Sequence, residues 1–108
     1  MKTAHQFRLV FVTAPDLKTA RSLAKAALEA KLAACANIVS RVESIYRWKG
    51  KVERAREVLV IMKTTATRLR ELEREMKRLH SYDVPEFIVL PIVAGSQEYL
   101  KWIQDNAA

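Results

Sequence analysis

The sequence predicts an α+β sandwich of element order β-α-β-β-α-β, with a long protruding β-hairpin at its middle and a short C-terminal helix. Three observations carry this. Two long strand-like runs, between Asn37 and Thr65, meet at Trp48-Lys49-Gly50-Lys51. A stretch of helical periodicity lies on each side of them, and short apolar runs open and close the series. A Gly-containing turn between two such runs reads as a hairpin.

Phe7 to Val12 is an apolar run suited to a first strand. Thr13-Ala-Pro-Asp16 then resembles a helix start, with Thr13 as the cap, Pro15 in the first turn and Asp16 three residues on. Leu17, Ala20, Ala24, Ala27, Leu28 and Leu32 follow at helical spacing, giving a helix with a small-residue face. In the first hairpin strand Ile38, Val42, Tyr46 and Trp48 share one parity, and Arg41, Glu43, Arg47 and Lys49 the other. The second strand begins charged (Glu53, Arg54, Arg56, Glu57) and becomes wholly apolar from Val58 to Met62. Leu69, Leu72, Met76 and Leu79 stripe a second helix, which Pro85 separates from a last strand over Phe87 to Val93, interrupted by Pro91. Ser96 caps a short helix with Tyr99, Leu100 and Ile103 on its inner face. Two βαβ halves joined by a hairpin give the ferredoxin-like arrangement.

The hairpin is too long for the body. From Asn37 to Lys49 an extended strand spans roughly 44 Å, whereas a globule of this length is about 34 Å across. An overhang of this kind exposes apolar side chains and free strand edges, so the hairpin reads as an assembly device. Ile45, Tyr46, Trp48 and Val52 are its candidate interface residues.

The 108 residues fit a single domain, 1–108, with half of them apolar. The longest apolar run, Phe87 to Ala94, is far short of a membrane span. Met1 to Phe7 lacks the apolar segment of a signal peptide, and one cysteine, Cys35, suits a reducing compartment, so a cytoplasmic location is expected. The net charge is +7. Part of it sits at the hairpin tip, where Arg47 to Arg56 carry five basic residues and one acid. The second helix instead interleaves its charges, with Glu73–Lys77, Glu71–Arg74 and Glu75–Arg78 at pairing distance, which describes a solvated face.

Few residues carry chemistry. Cys35 is flanked by small apolar residues and reads as a buried structural thiol rather than a nucleophile. His80 ends the second helix, where it is either a cap or a ligand residue. Glu57 and Lys63 bracket the apolar run and share a strand face with Leu59 and Ile61, which suggests covered charges. No phosphate loop, nucleophile motif or metal-ligand spacing is present.

Seven short motifs occur together and in order: Thr13-Ala-Pro-Asp16, Lys31-Leu-Ala-Ala-Cys-Ala-Asn-Ile38, Ser44-Ile-Tyr-Arg-Trp-Lys-Gly-Lys51, Lys63-Thr-Thr65, His80-Ser-Tyr-Asp-Val-Pro-Glu86, Leu90-Pro91 and Tyr99-Leu-Lys-Trp102. With these the chain resembles CutA-type divalent-cation tolerance proteins over residues 7 to 104. The resemblance implies a ferredoxin-like fold in a cytoplasmic homotrimer without enzymatic activity, similar in architecture to PII-type signalling trimers that bind effectors between subunits. It further implies a metal ion or small ligand at subunit interfaces, with Glu57, Lys63, His80, Tyr82 and Glu86 as cleft candidates beside Cys35. Some relatives place a Cys at the end of the first strand and two consecutive His before the Tyr; here Val12 and Leu79 stand at those places, and His80 alone keeps a ligand. Weak binding of a divalent ion such as copper, dependent on His80, is the resulting expectation. Two other classes compete. An RNA- or anion-binding module would need aromatics on the central strands, and Val58 to Met62 has none. A small Cys35/His80 enzyme would need an orienting third group, which no motif supplies. Specific nucleic-acid binding and membrane association are therefore not expected.

Overall fold

In the computed structural model, which describes residues 1–107, the chain forms β1 (Lys2–Thr3), β2 (Phe7–Ala14), α1 (Leu17–Glu29), β3 (Cys35–Trp48), β4 (Lys51–Thr65), α2 (Leu69–Leu79), β5 (Ile88–Pro91), β6 (Ala94–Gly95) and α3 (Gln97–Asn106). β3, β4, β2 and β5 lie side by side in that order, all antiparallel, as a ferredoxin-like sheet. β1 and β6 form a separate two-stranded ribbon, so the N-terminal residues are paired.

Strand alternation divides the sheet into two faces. Val10, Val12, Val58, Val60 and Met62 point to one and meet Ala20, Leu23, Ala24 and Ala27 of α1 with Leu72 and Met76 of α2. The small residues of α1 permit that close approach, as their spacing predicts. At one end of the opposite face, α3 covers Phe7 and Ala34 with Leu100 and Ile103, and Thr65 Oγ1 donates to the carbonyl of Ala107 at 3.1 Å. Tyr99, expected on the inner side of α3, is exposed instead and points toward β4.

Several boundaries differ from expectation for identifiable reasons. Thr13 remains in β2, and Asp16 is the N-cap of α1, its carboxylate accepting from the Thr19 amide at 2.7 Å. That bond holds the Asp16 carboxyl below its ordinary pKa. α1 ends before Leu32 because Lys31 turns left-handed (φ 57°). The Leu32 amide then reaches Ala27 O at 2.9 Å and the Lys31 amide Leu28 O at 3.0 Å, a Schellman closure that usually takes Gly. Arg68 completes this cap by donating to the carbonyls of Ala30 and Lys31. In α2 the 73–77 and 75–78 pairs form, while Glu71 takes Arg68 rather than Arg74. Pro91 ends β5, leaving Ile92 and Val93 outside it.

The hairpin overhangs as its length predicts. β2 accompanies β4 only from Thr65 to Val58; past Ala14, β3 and β4 continue alone for seven residues of β4, about 24 Å. Lys49 and Gly50 both have positive φ (50° and 79°), the geometry of a type I′ turn. The parity expected along the first hairpin strand does not hold throughout. Between Val39 and Val42 the register shifts, with Arg41 at φ 63°. This bulge inserts one extra residue and transfers everything beyond it to the other face. Ile38 therefore joins the helix side, whereas Val42, Tyr46 and Trp48 lie opposite it.

Candidate functional site

The site forms where β2 runs out. His80 caps α2, its amide donating to Met76 O at 2.9 Å and its backbone leaving the helix in an extended conformation. The chain then crosses the end of β2. His80 Nε2 lies 2.6 Å from the carbonyl oxygen of Thr13, and the amide of Tyr82 lies 3.1 Å from Nδ1. A carbonyl only accepts and an amide only donates, so the ring is neutral with its proton on Nε2. Both nitrogens are engaged, and the ring also packs against Tyr82 with centroids 4.6 Å apart.

Anchored in this way, Tyr82 places its hydroxyl 2.7 Å from Glu57 Oε2 on β4, the last β4 residue before β2 begins to cover that strand. Partial burial and the Glu57 carboxylate hold the Tyr82 phenol protonated well above its ordinary pKa, with smaller contributions from Tyr46 and Asp16. Glu86 stands near the same carboxylate; its own pKa is raised, first by burial and then by repulsion from Glu57. The cluster thus holds one charged acceptor, a second carboxylate biased toward its proton, and a phenol. The outer side of Tyr82 borders an open groove of about 460 Å³ shaped by Glu73, Lys77, Val84 and Phe87.

The structure brings four of the six cleft candidates together: Glu57, His80, Tyr82 and Glu86. Lys63 and Cys35 form a second group, directly paired across β3 and β4. They lie six residues along β4 from Glu57, about 20 Å away in the same chain. Lys63 Nζ is 3.2 Å from Tyr99 Oη and 5.3 Å from that ring's centroid, and Tyr99 stacks on Trp102. Cys35 is half-buried rather than buried, because its strand face is the one that lacks α1 and α2; its Sγ lies 3.7 Å from Asn37 Oδ1. The roles of Tyr99 and Trp102 went unread at the sequence level, although their spacing at i,i+3 on a helix was visible.

A resident metal ion does not fit these donors. Imidazole binds a metal through an unprotonated nitrogen, and the one on His80 already serves the Tyr82 amide. Among the described residues no three His, Cys, Asp or Glu side chains converge as a ligand set.

The four candidate interface residues are all exposed in a single chain but do not share a face. Tyr46 and Trp48 continue the face of Leu59 and Ile61, while Ile45 and Val52 point to the other side. The first face is unusually apolar for an uncovered surface: beyond α3 it carries Leu9, Phe11, Val39, Leu59, Ile61, Ile88 and Leu90.

Comparison with known proteins agrees with the fold. The family model described as CutA1 divalent ion tolerance protein matches residues 8–106. A divalent-cation tolerance protein CutA of Thermus thermophilus is 46% identical over 98 residues, covering 91% of this chain and 95% of that protein. The chloroplastic protein CutA of Arabidopsis thaliana is 44% identical over 98 residues, again 91% of this chain, which spans about half (54%) of that longer protein. The solved structure of the divalent cation tolerance protein from Thermus thermophilus superposes with a TM-score of 0.92 at 44% identity, covering 94% of this chain and 99% of that one. No helix here is long and apolar enough to cross a membrane.

Proposed function

The chain belongs to the CutA1 divalent ion tolerance family, and from that premise we propose a non-enzymatic homotrimer that binds a small ligand where the Glu57–Tyr82–His80–Glu86 cluster of one copy meets its neighbour. The observation that carries this reading is the continuity of two features. The apolar sheet face leads through Val42 and Ala55 to Tyr46 and Trp48 of the overhang, broken on the way by Glu57, Ser44 and Glu53, and the polar cluster sits at the root of that overhang. Contiguous apolar surface of this extent marks an association site. A neighbour seated on it would cover Glu57, which lies on the same sheet face, and turn the open surface beside the Glu57–Tyr82 pair into a cleft.

The cluster suits a ligand that offers hydrogen-bond donors to Glu57 and Glu86 better than it suits a metal ion. A divalent ion at His80 would have to displace the Tyr82 amide, so its binding is weak and competes with the fold of the 80–87 loop. The Tyr82 phenol that meets Glu57 is held in its protonated form, which supports a binding role. A cytoplasmic location remains the proposal, on the strength of the single free thiol.

The test is native mass spectrometry of the purified protein combined with a thermal-shift screen of small molecules, run in parallel on Y82F. Ligands that stabilise the wild type and lose their effect in Y82F are expected. Hits that are indifferent to Tyr82 and Glu57 would place the binding site elsewhere.

A further inference from the structure

The bulge gives the overhanging hairpin two chemically different faces. One carries Tyr46 and Trp48 and continues the apolar sheet face. On the other, Ile45 is paired with Arg54, Arg47 with Val52, and Glu43 with Arg56. Ile45 and Val52 are 61% and 65% exposed, and all three arginines are exposed around them. Arg54 and Arg56 stand about 7 Å apart along β4, and Arg47 is the diagonal cross-strand neighbour of Arg54 at about 7–8 Å. Among the described residues none of the three arginines takes part in an ion pair or side-chain hydrogen bond; the cationic side chains of α2 and α3 that pair do so within their own helices or with the adjoining turn. The overhang therefore presents three guanidinium groups and the single Glu43 carboxylate, with no ion pair among them, around a small aliphatic floor.

A second copy of the chain is a poor occupant for this face. Each copy carries a net charge of +7, and the three carboxylates of α2, Glu71, Glu73 and Glu75, are already paired with cations of that helix and of the turn before it. Nucleic acid matches the charge but not the floor, since unpaired bases seek aromatic platforms and both aromatics of the hairpin lie on the opposite face. Guanidinium groups take carboxylates in forked, paired hydrogen bonds, and Ile45 and Val52 favour aliphatic side chains between them. We infer that the arginine face of the hairpin docks an acidic, amphipathic segment of a different protein. The trimer reading enters only in assigning the Tyr46–Trp48 face to self-association.

The test uses fluorescence anisotropy on the full-length protein with a labelled peptide of alternating Glu and Leu. Poly-Glu, oligo(dT) and phosphatidylserine vesicles are the comparison probes. The Glu/Leu peptide is expected to bind most tightly, and R47Q/R54Q/R56Q to weaken it at least about tenfold. I45S/V52S should weaken the Glu/Leu peptide while leaving poly-Glu unchanged. Sedimentation run on the same variants should show an unaltered assembly. The inference is overturned if the peptide does not bind, if the arginine variant binds it as well as wild type, or if oligo(dT) or vesicles bind more tightly. It is equally overturned if the arginine variant dissociates, because the arginines would then serve self-association.

Discussion

Replacing Tyr82 with Phe removes a single oxygen atom and leaves the ring against His80. The atom lost donates to Glu57 at 2.7 Å. A hydrogen bond to a charged group contributes about 1.5–3 kcal/mol when buried. Here both partners are only half-buried, and solvent competes for the carboxylate, so a figure near 1 kcal/mol is appropriate. For a domain of this size 1 kcal/mol lowers Tm by about 4–8 °C. The pH dependence gives a second readout. The phenol keeps its proton in the folded protein above its ordinary value of 10.0, because it is partly buried and faces Glu57. A folded-state pKa raised in this way stabilises fully below pH 10 and less as pH rises through the folded value. Calorimetry at fixed protein concentration should therefore find Y82F less stable than wild type by a constant margin from about pH 7 to 9. Above pH 10 that margin should narrow, since wild type alone loses the contribution. A Y82F variant as stable as wild type at pH 7, or a margin that widens above pH 10, would refute the assignment of this hydrogen bond.

Other expectations follow from the same geometry. Lys31, Arg41 and Lys49 hold left-handed conformations that disfavour side chains, so K31G and K49N should each raise stability by about 0.5–1 kcal/mol in denaturant unfolding, K49N by matching the Asn-Gly preference of type I′ turns. E86Q should raise the unfolding free energy slightly at neutral pH, by no more than about 0.5 kcal/mol. The folded pKa of Glu86 lies above its ordinary 4.5, so its ionisation destabilises once pH exceeds that value, and the gain from E86Q should vanish near pH 4. Thr64→Val should cost about 1–2 kcal/mol, because Thr64 Oγ1 is the buried partner of the Leu32 carbonyl at 2.7 Å. Copper(II) calorimetry should detect only weak binding, abolished in His80→Ala; tight binding that survives that change would locate the ligands elsewhere.

Much of the fold was legible because it is written in local periodicity. The hairpin announced itself through two long alternating runs around Lys49-Gly50, α2 through its 69-72-76 stripe, and α3 through Ser96, whose hydroxyl accepts from the Tyr99 amide as a cap should. The bulge was not legible, because a register shift is a property of two paired strands and Arg41 carries no local mark of it. Asp16 displaced Thr13 as the cap because β2 continues to Ala14, held by pairing with Val58. At the site, Tyr82 and Glu86 were nominated only by resemblance. The contact that organises them joins His80 to the Thr13 carbonyl across 67 positions of sequence, a distance no pattern bridges. Lys63 and Glu57 bracket the apolar run on one strand face, as the alternation implies, and the length of the strand between them keeps them about 20 Å apart within one chain.

Assembly through the helix-free face and the Tyr46–Trp48 side of the hairpin is the claim on which the ligand cleft depends. Sedimentation equilibrium at micromolar concentration tests it directly, comparing wild type with W48K and with R54E. The account predicts a species of three times the chain mass for wild type and R54E, and dissociation in W48K, since a desolvated aromatic dominates such an interface whereas Arg54 lies on the opposite face. A monomeric wild type, or a W48K variant that assembles as well as wild type, would contradict it.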